Sequence, residues 1–168
     1  MSNNSTHIKA EKSIDIDIAK QELRLFRGDA LLASYAISTA KNGVGQKMGS
    51  ECTPVGQHII RAKIGGKSPE NTVFVGRRET GEIFSEALRK QNPDRDWILT
   101  RILWLSGTEK GKNRAGEVDT MRRYIYIHGC PDGDSFSVPS SHGCVKMRNK
   151  DIIALYENVE AGIRVFIH

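Results

Sequence analysis

The chain has 168 residues and a formal net charge of +5, with 38% hydrophobic and 27% charged residues. These values are typical of one soluble globular domain, and no stretch reaches the roughly 18 apolar residues of a membrane-spanning helix. The basic residues are scattered, with neither a long basic stripe nor interleaved aromatic residues. This argues against nucleic-acid binding and leaves a solvated surface, or an anionic substrate, as the reason for the charge.

The N-terminal half predicts a meander of strands. Residues 1–13 form a polar segment without the apolar core of a signal peptide, which favours a cytoplasmic protein if this N-terminus is native. A periplasmic location follows if a leader has been removed. Ile14, Ile16 and Ile18 alternate with polar residues, and 22–26 and 30–38 continue the β pattern. A turn at 53–56 precedes predicted strands over 58–64 and 73–75.

The C-terminal half adds strands and one clear helix. Residues 83–88 fit either a helical turn or an irregular excursion, 97–105 fit a strand, and 106–120 and 131–139 fit loops that could cover a cleft. Residues 124–127 give the clearest strand, and we expect it to end at His128, with the chain turning at Gly129. Asn149 is the expected cap of the helix and Gly162 its stop. The helical spacing involves Ile152, Ile153, Tyr156 and Val159.

These elements, closed by a strand over 163–167, predict a mainly β fold. We expect a β-sandwich or barrel-like domain with one main helix after Cys144. Residues 14–168 are expected to form this single domain.

The cysteines give no disulfide framework, because Cys52, Cys130 and Cys144 are odd in number. This favours a reducing compartment. A single cysteine is most often a small buried apolar residue. His128, Cys130, His142 and Cys144 also allow a zinc site, but His-x-Cys repeated far along the chain does not match the usual ligand spacing. We therefore predict no metal and no cofactor.

Cys144 can also be a nucleophile, which requires a base or a positive neighbour to form the thiolate. His128 is the candidate base. No Asp or Asn is evident as the group that orients its imidazole, so a backbone carbonyl near Gly129 is the candidate. Gly143 would let the backbone approach a substrate closely, and N–H groups around Gly143 and Cys144 could bind an oxyanion.

Several motifs together carry a family resemblance. They are Tyr126-Ile127-His128-Gly129, then Ser141-His142-Gly143-Cys144-Val145-Lys146-Met147, then Asp151 and Leu155-Tyr156, with Thr53-Pro54-Val55-Gly56 upstream. In this combination the chain resembles the L,D-transpeptidase (YkuD) catalytic domain over about residues 14–168.

The resemblance implies a set of site residues. Cys144 would be the nucleophile, His128 the general base and the Gly129 carbonyl the group that orients it. His142 and Gly143 would help form the oxyanion and substrate site, supported by Ser141.

Two positions depart from the family pattern. Lys146 stands where the family usually has an Arg that contacts substrate carboxylates. A lysine keeps the positive charge but cannot donate the two parallel hydrogen bonds of a guanidinium to a carboxylate. Arg148 is a candidate to compensate. Cys130 stands where Thr or Ser is common, as a space-filling thiol or, less expected, a resolving or regulatory one.

The implied substrate is a peptidoglycan stem peptide or muropeptide. The cysteine would attack the diaminopimelate–D-Ala bond of a tetrapeptide and form a thioester. Water as acceptor gives an L,D-carboxypeptidase, and an amine gives a transpeptidase. With no export signal, we expect a carboxypeptidase in cytoplasmic muropeptide recycling.

Other readings stay open at this point. One is an L,D-transpeptidase that cross-links peptidoglycan in the cell envelope, and another is an exported effector with the same chemistry. A non-catalytic binding module and a zinc protein are the alternatives from other classes. The sequence leaves the oligomeric state undetermined.

Overall fold

The computed structural model describes residues 9–168. The predicted polar segment 1–13 therefore lies largely outside the described residues, and the first strand already begins at Lys12. The strands are β1 (Lys12–Asp17), β2 (Glu22–Arg27), β3 (Ala30–Ser38), β4 (Gly56–Ile64), β5 (Thr72–Val75), β6 (Arg78–Ile83), β7 (Ile98–Gly107), β8 (Tyr126–Cys130), β9 (Val145–Arg148) and β10 (Arg164–Ile167). The helices are α1 (Glu86–Gln91) and α2 (Asn149–Asn158), with a short 3₁₀ turn at Gly116–Val118.

One sheet closes on itself, as the predicted mainly β, barrel-like fold requires. Its strand order is β4-β10-β1-β2-β3-β9-β8-β7-β5-β6, and β4 also pairs with β7. Eight strands therefore form a ring, and the β5–β6 hairpin extends from β7. Most neighbours are antiparallel, but β1–β10 and β8–β9 are parallel pairs.

The core fills the ring and the space under α2. Ile14 and Ile16 of β1 pair with Leu25 and Leu23 of β2, and all four side chains are at most 2% exposed. Their alternation with polar residues is what the period of two predicts. Each such side chain contributes about 1.5–3 kcal/mol by leaving water. The inward face of α2 adds Ile152 and Leu155, both fully buried.

The helix after the cysteine is confirmed, but its predicted ends are wrong. Arg148 occupies the N-cap position without a side-chain hydrogen bond, and Asn149 is the first helical residue. The Asn149 side chain is fully buried and bonds to neighbouring strands instead. The helix ends at Asn158, while Gly162 (φ +90°) forms the turn before β10. The ambiguous 83–88 segment ends β6 and begins α1.

The strand that carries His128 also differs from the prediction. Tyr124 has φ +55° and lies in a turn, so β8 begins at Tyr126. His128 is in the middle of β8, and Gly129 and Cys130 continue it, because both pair in parallel with β9. The four-residue β9 was missed, since its short apolar-polar alternation directly precedes the stronger helical pattern.

No helix within residues 9–168 is long and apolar enough to cross a membrane.

Candidate active site

A cavity of about 470 Å³ opens beside the start of β9. It brings together five of the predicted site residues: Cys144, His128, Ser141, His142 and Lys146. The remaining lining residues come from the β5–β6 turn, from the segment that leads into β7 and from the segment that leads into β8: Gly76, Arg77, Asp96, Ile98, Arg123, Tyr124, Ile125 and Tyr126. Gly129, Gly143 and Arg148 do not line it.

The Ser141–Cys144 loop is tied to the barrel by hydrogen bonds. The Ser141 hydroxyl donates to the Cys144 carbonyl and accepts from the Gly143 N–H at 3.2 Å. From the opposite side, the buried Thr53 hydroxyl donates to the Gly143 carbonyl at 2.9 Å and accepts from the Ala40 N–H at 2.9 Å. The loop therefore presents Cys144 in one fixed position.

The structure shows two requirements for glycine at position 143, while its predicted close approach to a substrate stays a prediction. Its φ is +129°, and a Cβ there would lie 3.1 Å from Ile125 Cδ1 and 3.3 Å from the Cys52 carbonyl oxygen. The residue is buried and faces protein, and its N–H is occupied by Ser141. Glycine is thus required by conformation and crowding.

The Cys144 sulfur is half-buried between backbone groups. It accepts a hydrogen bond from the Tyr126 N–H at 3.3 Å and lies 3.4 Å from the Tyr124 carbonyl. Burial raises the pKa of Cys144 to about 12, although the Tyr126 N–H works in the opposite direction by stabilising the thiolate. The resting group is therefore a neutral thiol.

The His128 ring is almost completely buried, with 1% of the residue exposed. Its Nδ1 lies 2.7 Å from the Gly129 carbonyl oxygen. A carbonyl only accepts, so Nδ1 carries the proton and Nε2 keeps its lone pair. Burial lowers the pKa of His128, opposed by the negative charge of Asp96 and by the Gly129 carbonyl. The imidazole is therefore neutral and able to take a proton.

The two predicted cations have different environments. Lys146 lines the cavity with its side chain 14% exposed, and its ammonium lies 3.8 Å from an Asp134 oxygen. Arg148 points elsewhere: its guanidinium stacks over Phe136 at 4.5 Å and lies 3.9 Å from Asp151. Arg148 does not compensate at the cavity for the lysine at 146.

The sequence reasoning missed three charged residues of the cavity, Arg77, Asp96 and Arg123. Arg77 donates to the Tyr126 hydroxyl at 2.9 Å and stacks over Trp104 at 4.2 Å. Arg123 binds backbone carbonyls, including that of Cys52 at 2.6 Å. Asp96 contributes an exposed carboxylate. These positions lie far apart in the chain, so only the fold reveals their proximity.

A second cavity, of about 350 Å³, shares Asp96, His142 and Lys146 with the first. Its other walls include charged residues of both signs, among them Arg89, Asp94 and Asp134. His142 is exposed and faces both cavities. A substrate could extend to either side of Cys144.

Comparison with known proteins identifies the family and the fold. The model of the L,D-transpeptidase catalytic domain family, YkuD, matches residues 11–167. The chain belongs to this family. No curated protein matches it.

Three solved structures show the same fold at low identity. An L,D-transpeptidase from Mycobacterium smegmatis has a TM-score of 0.55 at 16% identity, covering 95% of this chain and 59% of that one. L,D-transpeptidase 3 from Mycobacterium tuberculosis, in complex with a faropenem-derived adduct, has 0.57 at 13%, covering 94% and 60%. The Enterococcus faecium L,D-transpeptidase has 0.57 at 13%, covering 95% and 50%. This chain thus spans about half to three-fifths of those proteins.

Cys130, the second position that departs from the family pattern, has a buried thiol that packs inside the domain. It is fully buried in β8, with its sulfur 3.5 Å from the Met147 carbonyl, and burial raises its pKa to about 12. The residues from 9 to 168 contain no His, Cys, Asp and Glu cluster arranged to hold a metal ion. The catalytic roles of the site residues stay predictions.

Proposed function

We propose that this chain is a cysteine L,D-carboxypeptidase, which cleaves D-Ala from the diaminopimelate of peptidoglycan tetrapeptide stems. The observation that carries the proposal is that Cys144, His128 and Lys146 all line one cavity. A nucleophile, a neutral base and a cation are what removal of a residue with a free carboxylate requires.

The reaction proceeds through a thioester. Nε2 of His128 takes the thiol proton as the Cys144 sulfur attacks the diaminopimelate carbonyl, and the carbon–sulfur bond forms. His128 then returns the proton to the D-Ala nitrogen as the peptide bond breaks. Water, deprotonated by His128, releases the tripeptide and regenerates the thiol.

The surrounding residues take supporting roles in this proposal. Lys146 binds a substrate carboxylate, and the exposed His142 borders the substrate. The Gly143 N–H is occupied by Ser141, which makes the Cys144 N–H the candidate oxyanion donor. The Gly129 carbonyl holds the His128 tautomer.

We also propose that the enzyme works in the cytoplasm, on recycled muropeptides. All three cysteines, at positions 52, 130 and 144, are free thiols. Free thiols, including the half-buried Cys52, suit a reducing compartment. The oligomeric state has no bearing on this proposal, because every proposed residue comes from one chain.

The second candidate function is L,D-transpeptidation. It is favoured by the second cavity, which lies on the other side of His142 and Lys146 and gives an acceptor stem room to bind; Asp94 and Asp96 are carboxylates there to which its ammonium could bind. The two functions share the acylation step and differ in the group that attacks the thioester.

Product analysis distinguishes them. The purified protein is incubated with a defined tetrapeptide, with and without an amine acceptor, and the products are separated by mass. We expect tripeptide and free D-Ala in both reactions, and no product with Cys144→Ala. Cross-linked dimers without tripeptide would overturn the carboxypeptidase proposal in favour of transpeptidation.

A β-lactam tests the nucleophile independently of the acceptor. A carbapenem should add its mass to the wild-type protein and not to Cys144→Ala. Identical behaviour of both proteins toward the carbapenem and the tetrapeptide would refute a catalytic role for Cys144 and favour a non-catalytic binding module.

A further inference from the structure

The carbonyl that orients His128 lies beside an irregular step in the pairing of β8 with β7. In the ladder, Leu99 faces Gly129, but the next pair is Ile102 with His128. Two extra residues of β7, Thr100 and Arg101, therefore bulge at the step between His128 and Gly129. Such bulges often lie beside active sites and redirect side chains.

Thr100 adopts a strained conformation in this bulge. Its φ is +74°, in the left-handed region that β-branched residues rarely occupy. The residue is fully buried, and its hydroxyl accepts from the Asn71 N–H at 3.0 Å and donates to Oδ1 of Asn149. Strain of this kind persists only where the surroundings fix it, and it clusters at functional sites.

Asn149 connects this bulge to the strand that bears His128. Its side-chain amide donates to the Cys130 carbonyl at 3.0 Å, with Asn71 Oδ1 at 3.1 Å and Asp132 Oδ1 at 3.2 Å as further acceptors. The residue is fully buried at the first position of α2. Its amide is thus held from several sides, and its orientation is fixed.

Gly129 lies directly against this amide. A Cβ at position 129 would come within 2.5 Å of Asn149 Oδ1 and 2.6 Å of the Leu99 carbonyl oxygen. The Gly129–Cys130 backbone is therefore confined by Asn149 on one side and the β7 bulge on the other. The Gly129 carbonyl, which accepts from Nδ1 of His128 at 2.7 Å, belongs to this confined segment.

We propose that Thr100 and Asn149 are positioning residues for His128. The hydroxyl of Thr100 fixes the amide of Asn149, the amide fixes the Gly129–Cys130 backbone, and the Gly129 carbonyl then fixes the tautomer and direction of the imidazole. Neither residue lines the cavity, so neither touches the substrate. The inference rests on the proposed role of His128 as the base.

The sharpest test is Thr100→Val. Valine keeps the β-branched shape and the backbone strain but removes the hydroxyl that holds Asn149. We expect kcat on the tetrapeptide to fall about 10- to 100-fold, since small misplacements of a base cost this much, with KM nearly unchanged. Thr100→Ser, which keeps the hydroxyl, should restore kcat.

Two measurements separate positioning from a loss of stability. The nitrogen chemical shifts of His128 should report one tautomer, protonated at Nδ1, in the wild type and a mixture in Thr100→Val. The matched control is Thr72→Val, which removes another buried hydroxyl, donating to the Pro69 carbonyl at 2.7 Å. This control should lose stability but keep the His128 tautomer and kcat. The charged groups near His128, Asp96 and Lys146, are the same in all variants.

The inference is overturned if folded Thr100→Val keeps the wild-type His128 tautomer and kcat. It is also overturned if Thr100→Ser loses as much kcat as Thr100→Val, because the hydroxyl would then be irrelevant. Failure of the proposed function looks different: His128→Ala would turn over the tetrapeptide like the wild type, while the tautomer of His128 could still respond to Thr100→Val.

Discussion

Removing the hydroxyl of Thr53 should both destabilise the domain and slow acylation of Cys144. Thr53 is fully buried, and its hydroxyl joins the segment at Ala40 to the loop that carries Cys144. Its hydroxyl accepts from the Ala40 N–H and donates to the carbonyl of Gly143, the residue before Cys144. In Thr53→Val the shape is kept, but both backbone groups lose their partner without access to water.

The magnitude follows from these two lost hydrogen bonds. A buried polar group left without a partner costs about 1–3 kcal/mol, so the two groups orphaned in Thr53→Val should lower the free energy of unfolding by about 2–6 kcal/mol. This is a large part of the roughly 5–15 kcal/mol of a typical domain. The Gly143 carbonyl is also freed to rotate, which changes the direction of the adjacent Cys144 N–H and sulfur.

The assay compares Thr53→Val with Thr53→Ser, which keeps the hydroxyl. Urea unfolding gives the change in free energy, and the rate of mass increase with a carbapenem gives the acylation rate of folded protein. We expect Thr53→Val to acylate about tenfold more slowly than Thr53→Ser. Unfolding free energies that agree within about 0.5 kcal/mol, the range of a neutral substitution, would refute the reasoning.

Four further predictions address charge and packing. The negative charge of Asp96 raises the pKa of Cys144, so Asp96→Asn should lower the pKa of this thiol. Alkylation of Cys144 by iodoacetamide should then be faster at pH values below the pKa, and an unchanged pH profile of alkylation would contradict the prediction. Lys146→Met should raise KM for the tetrapeptide about tenfold, whereas Arg148→Ala should not, and equal effects would remove Lys146 from carboxylate binding. Gly129→Ala should lower the melting temperature strongly, but Gly133→Ala, whose Cβ would have its nearest neighbour at 3.9 Å, should not. Burial lowers the pKa of His58 to about 4, so between pH 6.5 and 4 the unfolded chain binds a proton at this residue that the folded chain does not. The free energy of unfolding should therefore fall by about 3 kcal/mol over this range. The fall should be smaller in His58→Gln.

Much of the fold could be predicted because the alternation of apolar and polar residues indicates which side chains of a strand are buried. The strands at Ile14–Ile16 and around residues 58–64 followed from this pattern, and so did the helix that buries Ile152. The β9 strand could not be predicted, because four residues between the Ser141–Cys144 loop and a helix are too few to show a clear alternation of apolar and polar side chains. Asn149 was misassigned, because a local capping preference was overridden by long-range hydrogen bonds.

The candidate site could be predicted only where its residues lie close in sequence. Residues 141–146 and His128 formed one pattern, and the fold brings Ser141, His142, Cys144, Lys146 and His128 to one cavity. Asp96, Arg77 and Thr100 come from distant segments and have no local signature. The conformation of Thr100 is set by the β7 bulge, which depends on pairing between strands that sequence periodicity does not resolve.

The pKa shifts of Cys144 and His128 determine the resting charge state of the proposed nucleophile and base. Burial raises the pKa of Cys144 and lowers that of His128, so both are neutral at neutral pH. Asp96 favours a protonated His128 and disfavours the thiolate, while Lys146 does the reverse on both groups. The charges of Asp96 and Lys146 therefore act in opposite directions on each member of the thiolate–imidazolium pair. In the proposed reaction the thiolate forms mainly as the substrate carbonyl is attacked. The rate of that step then depends on the direction of the His128 ring, and so on the backbone that we propose fixes it.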